Sequence, residues 1–336
     1  MLKNPRWWKG DGKLVATKND IRAAYRMLLG REPDARGLRD HLEWVTRYEA
    51  HPSVLADRIM SSDEYRMKSQ QGASMLPIDM GGYVVLAHPG DRLISAGVIA
   101  DGNYEPHVIE RFAQALHSGA YVLDVGANIG LYTMKAAAIA GEHGRVFAVE
   151  PLPQNHRALY GGIVRNGYSN VSVLPFAASD GPGLIPAICA LDSSNGIVGV
   201  RSAGNSEEIM VPTQRLDDIL ATIPRLDVVK IDIEGHEPVA WRGMSALLQK
   251  HRPTVFSEFS PVAIRNVGND PLEYLNMIFA YSSDVTVLRR DAGTVRCDEP
   301  QALMQEWHQA NRAAGLDGQM HLDLLIAPRG RAETVN

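Results

Sequence analysis

Val122-Leu-Asp-Val-Gly-Ala-Asn-Ile-Gly130 is the stretch that decides how this chain is read. An apolar run enters the pattern Asp-x-Gly-x-Asn-x-Gly and passes straight into a helical segment, 131–140. Gly126 and Gly130 permit a tight turn and let a ligand approach bare backbone. The amides of such a turn, with the N-terminus of the next helix, face the crevice at the strand ends where open α/β sheets bind ligands. Glu150 closes the next strand, 20 residues after Gly130. An acid there can accept hydrogen bonds from both ribose hydroxyls of an adenosine ligand. Ala178-Ser179-Asp180 follows the third strand, and Asp180 can meet an adenine amino group. Two cofactor classes compete for this turn. A dinucleotide brings a diphosphate, which the Asp124 carboxylate would repel. The same carboxylate can hold the ammonium of a methionine moiety, so a cationic or zwitterionic cofactor is expected. The rival to both is an α/β turn that binds no cofactor.

Working outward, short apolar runs at 121–125, 145–149, 171–174, 228–231, 254–258, 285–288 and 322–326 read as strands. Helical patterns at 131–140, 153–166, 214–222, 237–250 and 271–281 alternate with them. That alternation predicts an α/β fold with a mostly parallel sheet covered on both faces. The last two runs suit an antiparallel edge strand, with 300–314 available as a helix. Ahead of the core, Tyr83–Leu86 and Leu93–Ile94 around His88-Pro-Gly-Asp91 read as a β-hairpin, and 106–116 as a helix. Residues 72–80 are small and polar, a linker. Residues 18–70 read as helices: Ile21, Tyr25, Leu28 and Leu29 form one stripe, capped by Asn19 or Asp20 and ended by Gly30. A second helix carries Leu38, Leu42 and Val45, and a third spans 53–60. The expected organisation is a small all-α module (1–72), a lead-in of linker, hairpin and helix (73–120), and the core domain (121–330).

Composition narrows the function classes. Hydrophobic residues make up 45% and charged residues 22% of 336, with a formal net charge of −5. An acidic chain gives no basis for neutralising a polyanion, so nucleic acid is not an expected partner. No run approaches the roughly 18–20 apolar residues of a membrane span. No secretory leader is visible, and Cys189 and Cys297 form no zinc or disulfide pattern, which fits a reducing cytoplasm. Residues 1–75 hold 14 Lys/Arg against 10 Asp/Glu. This is either a solvated helical face or a surface for a protein partner or for self-association.

Asp124-Val-Gly-Ala-Asn-Ile-Gly130, Glu150-Pro151 and Lys230-Ile-Asp-Ile-Glu-Gly-His-Glu237 together resemble the FkbM family of methyltransferases. Ser257-Glu258-Phe259 and Tyr104-Glu105-Pro106 agree with it. The resemblance covers roughly 100–260. It implies a Rossmann-like class I methyltransferase fold, S-adenosyl-L-methionine as donor, and a hydroxyl acceptor on a sugar or other natural product. It also implies that Asp124, Gly126, Asn128, Gly130, Glu150 and Asp180 line the cofactor site, with Glu105 at its methionine end. Tyr25 to Leu38, with Ser62-x-Glu64-Tyr65, resembles a small helical domain attached to bacterial glycan-handling proteins.

Asp232, Glu234 and His236 sit where the fourth strand leaves the sheet and are the candidate catalytic residues. Val228, Lys230 and Asp232 fall on one strand face, and Val229, Ile231 and Ile233 on the other. Two charges at the end of an apolar strand are costly unless paired or used; Lys230 and Asp232 form a structural pair or serve the site. Methyl transfer to an alcohol needs alignment and a base, for which His236 and Asp232 both stand. A divalent metal on Asp232, Glu234 and Glu258 is a further option. Residues 189–200 form an acceptor lid or an ordinary loop. His88, His107 and His321 read as structural. The expected activity is O-methylation of a saccharide hydroxyl, as on a bacterial surface glycan or its precursor. Its rivals are a small natural product or lipid-linked acceptor, and an inactive cofactor-binding scaffold.

Overall fold

In the computed structural model, residues 15–29, 31–60, 62, 64, 75–88, 94–189 and 207–328 are described. The chain divides into two compact units, Met1–Ala73 and Ser74–Asn336.

In the first unit, α1 (Lys18–Ala24) runs into a wider turn, Tyr25–Leu29, and is followed by α2 (Ala35–Tyr48) and α3 (Pro52–Met60). Ile21, Tyr25 and Leu29 of the predicted stripe are buried with Val45, Leu55 and Ile59. The cap differs from expectation. Thr17, not Asn19 or Asp20, is the N-cap; Asp20 is its partner three residues on, the two forming a capping box. Asp34 caps α2 by accepting from Gly37 N at 2.6 Å. Gly30, expected to end the first helix, lies outside the described residues.

The second unit is built on one sheet. Its strands are β3 (Tyr121–Val125), β4 (Arg145–Val149), β5 (Val171–Leu174), β9 (Val228–Ile231), β10 (Thr254–Phe259), β11 (Val285–Leu288), β12 (Thr294–Cys297) and β13 (Leu322–Ile326). The order is β12-β11-β13-β10-β9-β3-β4-β5. The five strands from β10 to β5 are parallel. This is the expected mostly parallel, Rossmann-like sheet. Its apolar runs are continuous because both faces are covered. Val122, Val146, Val228 and Phe256 pack on one side. Leu123, Val125, Val229, Ile231 and Val255 pack on the other.

The antiparallel strands are subtler than expected. The edge strand β12 is antiparallel to β11, but β13 is interior, antiparallel to both β10 and β11. The helix 300–314 does form. The predicted hairpin is displaced. Val84–Ala87 (β2) pairs with Leu76–Asp79 (β1), part of the supposed linker, and Ile94 begins a helix (94–101). The reversal lies at Gly81-Gly82, where Met80 N donates to Tyr83 O at 2.8 Å. A side sheet was also missed: β6 (Ala177–Ser179), β7 (Gly183–Cys189) and β8 (Glu207–Arg215). Strand β8 takes the start of the helix expected at 214–222, leaving Leu216–Ile219. The helix expected at 237–250 breaks at Met244. Among the described residues no helix is long and apolar enough to cross a membrane.

Asp227 ties the sheet's start together. Its carboxylate accepts from Tyr121 N at 2.8 Å and from Arg225 at 2.6 Å, and its carbonyl accepts from Thr254 N. Asp227→Ala leaves the buried amide of Tyr121 without its acceptor. It should lower stability by about 2 kcal/mol, read as a lower urea midpoint at unchanged slope.

Candidate active site

Strands β3, β4 and β9 end side by side, and their exits bound a cavity of about 1010 Å³. Gly126 N and Ala127 N both donate to Val149 O, and Asp232 N donates to Val125 O at 3.0 Å. At Gly126 φ is +88°, and a Cβ there would stand 1.9 Å from Asp232 O. The missing side chain therefore serves the molecule's own packing: it lets the β3 and β9 exits touch. Asn128, Glu105 and Glu234 hold left-handed backbones although none is glycine, and all three line the cavity. Strain of this kind persists only where the surroundings enforce it, and it gathers at functional sites.

At one end stand the residues of the glycine turn. Asp124 is 2% exposed, and its Oδ2 accepts from Thr133 Oγ1 at 2.5 Å. Burial raises its pKa to about 6, against the pull of Thr133 and Lys230. Glu150 accepts from Asn128 N, Leu152 N and Asn155 Nδ2. It thus braces the turn as well as lining the cavity. Gly130 caps the following helix, φ +96°, without being among the lining residues. Asp180 is not in the lining either; half exposed, it pairs with Arg242 at 3.2 Å.

The middle holds Lys230, buried at 2% exposure, with Nζ 2.9 Å from Asp232 Oδ2 and 4.9 Å from the Tyr132 ring centroid. Burial alone would favour the neutral amine, but Asp232, Glu105 and Asp323 outweigh it and raise its pKa. Tyr132 Oη donates to Glu105 Oε2 at 2.7 Å. Burial works against the Asp232 carboxylate, yet Lys230 and a hydrogen bond from Glu258 hold its pKa down. Burial and the neighbouring acids push Glu258 well up. Crowding plus Asp232 and Glu237 raise Glu234 to about 8, although its residue still meets solvent. Of the expected catalytic trio, Asp232 and Glu234 line the cavity and His236 does not. His236 Nδ1 is buried without a hydrogen-bond partner, and burial lowers its pKa. Glu237 instead shapes the loop, accepting from Ile233 N and Gly235 N.

Of the far wall, the sequence marked only Tyr104 to Pro106, through the family resemblance. Asn103 to His107, Arg290, Gln319 and His321 line it. His321, read from sequence as structural, lines the cavity, with Nδ1 3.7 Å from Glu258 Oε2 and Nε2 3.9 Å from Asp323 Oδ2. His107 Nε2 is 2.9 Å from Asp323 Oδ2, both nearly buried. Glu105, His321 and Asp323 bring one donor atom each within 4.8 Å of one another. Of the expected metal set, Asp232 and Glu258 are engaged with Lys230, His321 and each other. Residues 190–200, expected as a lid, lie outside the described residues. In total the lining carries six carboxylates (Glu105, Asp124, Glu150, Asp232, Glu234 and Glu258) against Lys230 and Arg290.

Residues 124–285 match the family model described as the methyltransferase FkbM domain, which bears out the resemblance read from the motifs. Hexuronic acid methyltransferase AglP of Haloferax volcanii is 28% identical over 197 residues, 57% of this chain and 76% of that protein. Among solved structures, methyltransferase FkbM from Methylobacillus flagellatus matches at 16% identity and TM-score 0.32, over 74% of this chain. The chain spans about half, 52%, of that protein. An O-methyltransferase from Thermotoga maritima matches at 10% identity and TM-score 0.38, covering 70% of this chain and 71% of that one.

Gly126→Ala forces a Cβ into the Asp232 carbonyl and a left-handed backbone onto alanine. It should cost about 3 kcal/mol or more, seen as a fall in soluble yield and in the thermal midpoint. A fully stable variant would contradict the tight contact of the two strand exits.

Proposed function

Because residues 124–285 form a methyltransferase FkbM domain, we propose that this protein moves a methyl group from S-adenosylmethionine to a saccharide hydroxyl. One observation carries the reading: a cavity at the sheet's carboxyl end, six carboxylates in its lining and Asp124 on its glycine turn. Burial drives Glu234 and Glu258 toward the neutral acid, but the remaining acids still repel a diphosphate and favour a ligand bearing sulfonium and ammonium charges. About 1010 Å³ is ample for a nucleoside cofactor together with a sugar.

In this reading Asp124 and the backbone at Gly126 and Asn128 take the ammonium and carboxylate of the methionine part. Glu150 keeps one oxygen bonded to Asn128 N while facing the ribose. Glu105, fixed by Tyr132, closes the methionine end. Asp180, set apart from the cavity, is left out of the cofactor set. When bound, the cofactor supplies an electrophilic methyl group; the protein's share is to orient an oxygen against it and take its proton. Asp232 anchors Lys230 and needs no metal as its counter-charge. The AglP similarity supports a sugar acceptor, and a hexuronic acid is the first to try. A cytoplasmic setting is consistent with Cys297 as a free, buried thiol.

The test is transfer itself. With methyl-labelled S-adenosylmethionine and glycans extracted from cells lacking the protein, label should appear as a methoxy group on sugar. Label on nitrogen, or cofactor binding without transfer to any glycan fraction, would reject O-methylation. A second outcome follows from Asp124, whose pKa is about 6. Its ionised form binds the ammonium, so calorimetric affinity should fall by up to about tenfold per pH unit below 6 and stay level above 7. Asp124→Asn should bind more weakly and lose that slope.

A further inference from the structure

We propose that His321 is the group that accepts the proton of the acceptor hydroxyl; the inference rests on the methyl-transfer reading above. Two imidazoles line the cavity, and they differ in freedom. His107 is held against Asp323 at 2.9 Å. His321 has no carboxylate within hydrogen-bond distance at either nitrogen, the nearest oxygens being 3.7 and 3.9 Å away.

The surroundings fix which nitrogen does the work. Arg290 Nη2 lies 3.5 Å from His321 Nε2. A guanidinium only donates, so Nε2 is the lone-pair end and Nδ1 carries the hydrogen, toward Glu258 Oε2. Nδ1 thus faces an acid 3.7 Å away, and Nε2 is covered only by the long Arg290 contact, which an acceptor hydroxyl can replace. The backbone leading into His321 is anchored from behind. Trp307 Nε1 donates to Met320 O at 2.6 Å, and Met320 N donates to Asn311 Oδ1 at 3.1 Å. The residue before His321 is thus fixed on both sides by the helix 300–314. Glu258 and Asp323 are direct partners across β10 and β13, so both acids flanking the ring sit on sheet, not loop.

Among the described residues, the groups facing His321 are Glu258, Asp323, Glu105 and Asp232 among the acids, with Arg290 the cation beside it. Asp232 is a poorer base, since Lys230 and Glu258 already stabilise its charge. His236 stands outside the cavity. In the step itself, an acceptor hydroxyl displaces Arg290 from Nε2. The oxygen gains the methyl carbon, the carbon–sulfur bond breaks with its electron pair left on sulfur, and the hydroxyl proton ends on Nε2. His321, Arg290 and Gln319 all lie beyond residues 124–285, so this wall is not part of the shared methyltransferase region.

The experiment compares His321→Ala and His321→Gln with the wild-type chain, using labelled S-adenosylmethionine and glycans from cells lacking the protein. Cofactor affinity by calorimetry should stay within about twofold, while transfer falls about a hundredfold or more. Long-range ¹H–¹⁵N spectra of the wild-type chain should show His321 protonated on Nδ1 only. Transfer above a tenth of wild type in both variants overturns the proposal, as does the Nε2–H tautomer. Mn²⁺ binding that vanishes in the variants, with wild-type transfer abolished by chelator, would make His321 a metal ligand and also overturn it. No transfer by wild type defeats the methyl-transfer reading itself, a result distinct from variants that remain active.

Discussion

A single buried ammonium organises the floor of this crevice. Lys230 is the one charge in a strand that is otherwise valine and isoleucine, and water reaches almost none of it. An isolated charge there would be untenable. It survives because Asp232 stands 2.9 Å away and the Tyr132 ring lies beneath it, while Glu105 and Asp323 add attraction from farther off. The dependence runs both ways. Asp232, Glu105, Asp323, Glu258 and Glu234 crowd one small volume, and without Lys230 their mutual repulsion would push more of them to protonate. The even choice posed by the sequence, structural pair or site residue, has a physical answer: the pair is what allows so acidic a site to exist.

Much of the sheet was legible because its strands obey one rule. A strand inside a sheet covered on both faces is mostly apolar, whether parallel (β3, β4, β5, β9) or antiparallel (β11, β13), and these six have the boundaries their apolar runs imply. Strands breaking that rule were missed. Leu76-Pro-Ile-Asp79 is mostly exposed and carries a proline, so it reads as linker. Met210 and Leu184 of the side sheet are exposed apolar residues with no periodic signature. Pattern finds strands sunk in a core and overlooks strands at the rim.

The site divides the same way. Its near end is written in one contiguous motif, and Asp124, Gly126 and Asn128 of that motif all line the cavity. Glu150 was also found, although its bonds to Asn128, Leu152 and Asn155 show a bracing role that sequence does not reveal. The far wall assembles Tyr104–His107 with Arg290 and Gln319–His321, stretches over 180 residues apart. Nothing local marks a histidine as facing a cavity. His321 acquires its meaning only when β13 lies against β10.

That placement of β13 bears on how the molecule comes together. Strand β11 has no partner in the main sheet other than β13 and β12. Until the segment 322–326 slides in beside β10, the β11–β12 ribbon is an orphan, a two-stranded piece too small to hold by itself. The crevice's far wall is missing for the same interval. Completing the sheet therefore waits on a strand from late in the chain. A ribosome-bound or truncated chain lacking that strand would own the cofactor turn yet present its half-built sheet to any passing edge, an aggregation hazard that ends when the keystone strand is seated.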